Sequence, residues 1–254
     1  MLAFAPAASA DESASRVPLE GGTPGPRTSV PVGTFTFTAY GAPAHTYGLK
    51  AYALGRSSPG QTPIAGGGIS GWWSPIDRAT LIGDASRNAL GELTPSAAVV
   101  VRILGRPGDG WSLGGLAKMK LEGFGDEARK EIEGELEGGL LTSYARGGWH
   151  LDLNAIAGAG LGDEGEADAE GRARLGHDLG SFTRLGFDTQ ARFRIAGDKR
   201  LPGDRTWDFA AGPEAVFAFG RMYGSLFTGA TSSTVPGVQR LGWLSVVSLG
   251  GVTN

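Results

Sequence analysis

The chain contains no cysteine. This excludes a disulfide framework and any Cys-based metal site. It contains no apolar run of about 18 residues or more, so no helix is long and apolar enough to cross a bilayer. An excess of positive charge is also missing. Its 23 Lys and Arg stand against 26 Asp and Glu, a formal net charge of −3, and no nucleic-acid footprint is implied. Histidine is scarce, and His45 and His177 carry no metal-ligand spacing. Gly66-Gly67-Gly68 is followed by no helix bearing Lys-Ser/Thr, so it is not a phosphate loop. The acidic stretch 163–170 lacks the glycine and ligand placement of a calcium loop. No cofactor motif is present.

What is abundant is glycine, 44 residues without a collagen-like period, and alternation. Trp149, Leu151, Leu153, Ala155, Ala157, Ala159 and Leu161 alternate with His150, Asp152, Asn154, Ile156, Gly158 and Gly160. Glu166, Asp168, Glu170, Arg172 and Arg174 alternate with small residues and Leu175, and Leu185, Phe187, Thr189, Ala191, Phe193 and Ile195 alternate with a row rich in arginine. A period of two means strand. The apolar face is opposed by small polar or charged residues, which fits a wall with lipid outside and a polar lumen inside. The mean hydropathy of −0.09 is compatible with this, because a barrel hides its hydrophobicity in every second residue.

Read in order, residues 1–10 (MLAFAPAASA) end in a small-x-small signature and are expected to be a signal-peptide remnant, although the positive n-region is absent. Residues 11–33, rich in Pro, Gly, Ser and Thr, read as a disordered leader or linker. The 34–254 portion is expected to be the barrel. Within it, 33–40 (GTFTFTAY) alternates briefly and reads as an extra strand, an extension of the first hairpin, or a segment tucked into the barrel mouth.

Twelve strands are expected, at 46–56, 62–73, 76–88, 93–105, 110–122, 129–145, 147–161, 164–178, 181–196, 206–219, 221–231 and 238–250, with a range of ten to fourteen. Most exceed the roughly 9–11 residues that cross a membrane when tilted. Pro95 and Pro213 weaken the strands that contain them. Tight connections (Ser74-Pro75, 106–109, 146–148, 178–180 and Gly220) alternate with mostly longer ones, as periplasmic turns alternate with outer loops. Trp72, Trp73, Trp111 and Trp149 lie beside the tight turns, with Phe182 placed similarly, and suit an interfacial girdle.

The fold class expected is therefore all-β: an antiparallel up-and-down transmembrane β-barrel of about twelve strands. Over residues 46–254 the chain resembles bacterial outer-membrane β-barrel proteins, in architecture alone. The resemblance implies location in the bacterial outer membrane and contact with its lipid. One departure is that such barrels commonly end on an aromatic residue, whereas this chain ends Gly250-Gly251-Val252-Thr253-Asn254.

The charged alternates are the candidate lumen lining: Lys118, Lys120, Glu131, Glu133, Glu135, Asp152, Glu166, Glu170, Arg172, Asp188 and Arg192. Leu151, Leu153, Leu185, Phe187, Phe193, Ile195, Phe217 and Phe219 are expected outside. A hairpin through Gly125 would set Lys120 against Glu131, Lys118 against Glu133 and Glu122 against Arg129. A second hairpin, at Gly180, would set Glu166 near Arg192 and Glu164 near Arg194. Such pairs hold a wall in register, and they also suit a water-filled path for small polar solutes. Charge alone does not make a pore, because side chains can fill a narrow barrel.

His150, Asp152 and Asn154 share a strand face but need not converge on one reacting atom, and no companion serine motif accompanies them. They read as polar lining rather than as a catalytic group. The sequence thus suggests a passive channel for small polar solutes or a structural envelope protein with an ion-paired lumen, and not an enzyme. The rivals are a lipid-modifying outer-membrane enzyme using His150 as base, a closed barrel that binds a ligand or partner through its loops, and a soluble β-barrel.

Overall fold

The computed structural model describes residues 37–39, 42, 44–59, 63–87, 93–106, 110–122, 133–161, 167–180, 182–196, 207–233 and 241–253. Twelve strands account for most of them: β1 (Thr46–Ser57), β2 (Ile64–Ile76), β3 (Ala79–Arg87), β4 (Leu93–Leu104), β5 (Gly110–Glu122), β6 (Glu133–Arg146), β7 (Trp149–Gly160), β8 (Ala167–Asp178), β9 (Thr183–Ala196), β10 (Trp207–Phe219), β11 (Met222–Ser233) and β12 (Leu241–Thr253). Each pairs antiparallel with its sequence neighbours, and β1 pairs with β12 to close the barrel. Closure leaves no edge with unpaired backbone groups, a requirement for spanning lipid. The expected closed twelve-strand meander is the observed fold. The signal-peptide and leader segments, 1–10 and 11–33, lie outside the described residues.

Alternation decides facing. The exposed row includes Leu49, Leu81, Leu140, Leu153, Leu175, Leu185, Phe187, Phe193, Ile195, Phe219 and Leu249. Leu151 and Phe217 share its parity and are half-exposed. A belt this apolar and continuous has the character of a lipid-facing surface.

At the tight-turn end the belt finishes in aromatics. Trp73, Trp111 and Trp149 are about half-exposed, and Phe182 stacks on Phe219 with centroids 6.0 Å apart. Trp72 does not belong to this girdle. It is 4% exposed and packs inside the barrel, 5.7 Å from Tyr223. Adjacent strand residues point to opposite faces, so Trp72 and Trp73 cannot share a rim.

One further expectation is corrected, and two strands expected to contain proline are found. Ser74-Pro75 is not a turn: β2 continues through it with an irregularity between Trp73 and Ile76, and the chain reverses at Asp77-Arg78. Pro95 and Pro213 both lie within strands. The ladder to β10's other neighbour, β11, lapses at Gly212 and Pro213, which accommodates the missing N–H.

The described residues shortly before β1, Phe37, Thr38, Ala39 and Ala42, lie in the lumen. Ala39 and Ala42 are fully buried and Thr38 is 5% exposed. Ala39 packs with Val100, Leu116, Leu141 and Ile156, and Ala42 packs with Trp72, Val216, Ala218 and Tyr223. His45, at φ 64°, reverses the chain between this strap and β1, and its N–H donates to the Ser74 carbonyl at 2.6 Å. Histidine is among the few non-glycine residues that tolerate this left-handed conformation. Of the three readings of 33–40, the tucked-in segment holds for its described part. It reaches much further than the mouth.

Candidate functional site

The site is the lumen, and it has two halves. The half nearer the tight turns holds the strap. Asn154, midway along β7, grips the strap's main chain at two points. Its Oδ1 accepts the Phe37 N–H at 2.7 Å, and its Nδ2 donates to the Phe37 carbonyl at 2.8 Å. The Ala39 N–H donates to Ser143 Oγ at 2.8 Å, the Ala42 N–H to Thr80 Oγ1 at 3.1 Å, and the Ala44 N–H to Asp77 Oδ1 at 2.7 Å. Arg172 lies over the Phe37 ring, 5.2 Å from its centroid. A buried backbone must have partners. Here side chains of the wall supply them, where a neighbouring strand would otherwise do so.

Beneath the strap the wall is braced by buried ion pairs. Asp152 accepts from Ser143 Oγ at 2.6 Å and from Arg174 Nη2 at 2.7 Å. Arg174 also approaches Glu214 at 4.0 Å. Asp188 is fully buried and stands opposite Arg174 in the ladder. Nearer the turns, Asp178 joins His150 Nε2 at 2.9 Å to Arg184 Nε at 2.8 Å.

The half nearer the long connections carries the charged relay. Lys118 holds both oxygens of Glu137 at 3.0 Å, and Lys120 holds Glu135 at 2.7 Å. Arg192 donates from Nη2 to Glu135 at 2.9 Å and from Nε to Asp168 at 2.6 Å. Glu135 sits on β6 and Arg192 on β9, so this contact crosses two strands. Gly158 on β7 permits it: a Cβ there would stand 2.6 Å from Glu135 Oε1 and 2.9 Å from Asp168 Oδ1. Arg172 pairs with Glu170 on its own strand at 2.8 Å.

These positions answer the residues named from sequence. Lys118, Lys120, Glu135, Asp152, Glu170, Arg172, Asp188 and Arg192 lie on the inner face. Glu131 and Glu166 lie outside the described residues, and Glu133 begins β6. The proposed partners were wrong. The ladder sets Lys118 against Glu137, Lys120 against Glu135, and Glu122 against Glu133, four residues from the register expected of a Gly125 hairpin. The far ends of these strands carry positive-φ glycines, with Gly110 at φ 76° opening β5 and Gly147 and Gly148 at φ 61° and 81° after β6. Trp111 meets Tyr144 across the pair at 5.0 Å. Because the displacement is even, inner residues stay inner. In the next sheet pair, Arg192 stands opposite Glu170 and Arg194 opposite Asp168, instead of facing Glu166 and Glu164.

Sequence reasoning missed the apolar lumen residues Trp72, Val100, Leu116, Leu141, Ile156, Val216, Tyr223 and Phe227, all at most 5% exposed. Their parity carried the signal, since Ile156 lies between Asn154 and Gly158 on the polar row. Among the described residues, no group of three or more His, Asp and Glu is placed to hold a metal ion.

No protein-family model matches the chain, and no curated protein matches it in sequence. Solved structures do match. An outer membrane channel from Pseudomonas putida F1 is 13% identical with a TM-score of 0.57, over 89% of this chain and 100% of the other. The NanC porin is 10% identical with a TM-score of 0.57, over 81% and 98%. A loop-deletion mutant of OmpT, an outer membrane protein of Vibrio cholerae, is 7% identical with a TM-score of 0.50, over 82% and 98%. Identity this low shows the fold alone. That fold is the closed β-barrel of these bacterial outer-membrane proteins.

Proposed function

We propose that the protein is a narrow outer-membrane channel for small polar solutes, with the strap as its constriction. The observation that carries this reading is the division of the lumen. One half is lined by paired charges, a surface that favours water and polar solutes. The other half is narrowed by a segment held mainly through side-chain hydrogen bonds to its main chain. The strap residues buried most deeply, Ala39 and Ala42, have small side chains, which makes this a light plug.

Two structural neighbours, an outer membrane channel and a porin, support the same reading. The proposal assigns transport and not catalysis. His150 is 3% exposed inside the lumen, away from the lipid that a lipid-modifying enzyme would act on. Its Nδ1 has no hydrogen-bond partner among the described residues, so no serine hydroxyl is held by it there.

The apolar clusters around the strap favour a second reading, a closed barrel with a structural or loop-mediated role. Liposome swelling with polar solutes of graded size separates the two. A channel admits the smallest solutes slowly in the wild type and faster, up to a larger size, when 37–44 is deleted. A barrel that admits none in either form is closed, and the transport reading then fails.

A further inference from the structure

The tight-turn end carries a feature that transport does not use. Arg78 lies in the β2–β3 turn, Arg106 follows β4, Arg146 ends β6, and Arg221 lies in the β10–β11 turn; all four are exposed. None makes an ion pair with another described residue. Of the acids at these turns, Asp77 accepts the Ala44 N–H, Asp178 is taken by His150 and Arg184, and Asp109 lies outside the described residues. The chain as a whole is acidic, at −3, yet this end is ringed by guanidinium groups.

Each arginine lies within five residues of a girdle aromatic in sequence. Arg146 pairs with Trp149 in the ladder. Arg221 follows Phe219 across Gly220, Arg106 precedes Trp111, and Arg78 follows the β2 end that carries Trp73. Trp73, Trp111, Trp149 and Phe219 are all half-exposed or more. Amphipathic aromatics settle at headgroup depth, so the arginines beside them stand among or just beyond the headgroups. Guanidinium binds phosphate through paired N–H donors.

We infer that this rim binds the phosphate-bearing headgroups of anionic phospholipid in the leaflet on the tight-turn side. The arrangement favours lipid over a single acidic protein. The arginines are spread around the circumference, from the β2–β3 turn to the β10–β11 turn, which matches an annulus of lipid and not one docking patch. The inference rests on the membrane-barrel reading, and its test keeps the two apart.

The test uses brominated lipid as a quencher of the rim tryptophans. The full chain is reconstituted in vesicles of phosphatidylcholine with a minor fraction of phosphatidylglycerol. Bromine is carried by one lipid or the other at equal mole fraction. The rim predicts roughly twofold or greater quenching by the brominated phosphatidylglycerol relative to the brominated phosphatidylcholine. The excess should fall in molar salt and vanish in the R78Q/R106Q/R146Q/R221Q variant. If that variant does not fold, the wild-type comparison and its salt dependence decide alone. Equal quenching by both lipids leaves insertion intact and overturns the inference, directing the search to an acidic macromolecule in the aqueous compartment. An excess that survives both salt and the variant also overturns it. Quenching by neither lipid refutes insertion, and the inference with it.

Discussion

Gly158 is the residue on which the charged half of the lumen depends, although it carries no charge. It leaves room for Glu135 and Asp168 to share Arg192. A Cβ 2.6 Å from Glu135 Oε1 would force the carboxylate away. Gly158→Ala is therefore expected to destabilise the barrel by about 1–3 kcal/mol, the cost of leaving buried polar groups unsatisfied. Urea titration in vesicles measures this, and a variant as stable as the wild type would show that the relay is not held through this gap. Arg174 makes the opposite case, a charge enclosed by its partners. Arg174 is 1% exposed and Asp152 is 4% exposed at their side chains. Arg174→Ala strands a buried carboxylate and is expected to cost about 3–5 kcal/mol, with part recovered when Asp152→Asn is added. If the two losses simply add in the same titration, the pair does not act as a unit.

At the scale of the element, the strand register is the testable quantity. A chain without cysteine allows it to be read by cross-linking. Lys118→Cys with Glu137→Cys should form a disulfide on oxidation, since directly opposed strand residues fall within the Cα separation a disulfide spans. Lys118→Cys with Glu133→Cys should not, and the reverse pattern would restore the Gly125 hairpin. The strands themselves were legible because alternation depends only on which residues prefer lipid and which prefer a polar interior. The register was not legible in the same way. A shift of two or four residues from the Gly125 pairing toward the observed one keeps every facing and still leaves a Glu opposite Lys118 and Lys120, so charge pattern alone cannot choose. The register that forms sets Trp111 against Tyr144, a contact between segments that the charge pattern does not carry. The same limit applies to the lumen. Asp152 and Asn154 were assigned to the polar row from their spacing, but the strap held by Asn154 is distant in sequence and carries little pattern of its own. Leu116, Leu141 and Ile156 look misplaced on a polar row until the strap that covers them is known.

For the whole molecule, the barrel and its strap form one assembly. In the proposed reading lipid covers the outer belt; paired charges brace the wall, and the described residues before β1 lie in the lumen where the wall offers hydrogen bonds to their main chain. The central claim is that this strap sets what passes. Single-channel recording in planar bilayers, comparing the wild type with Asn154→Ala, tests it most directly. Removing the amide deletes both bonds to Phe37 without adding bulk. The account predicts a higher mean conductance for Asn154→Ala, through larger or more frequent openings, approaching that of the form lacking 37–44. Conductance equal to the wild type in both altered forms would contradict it.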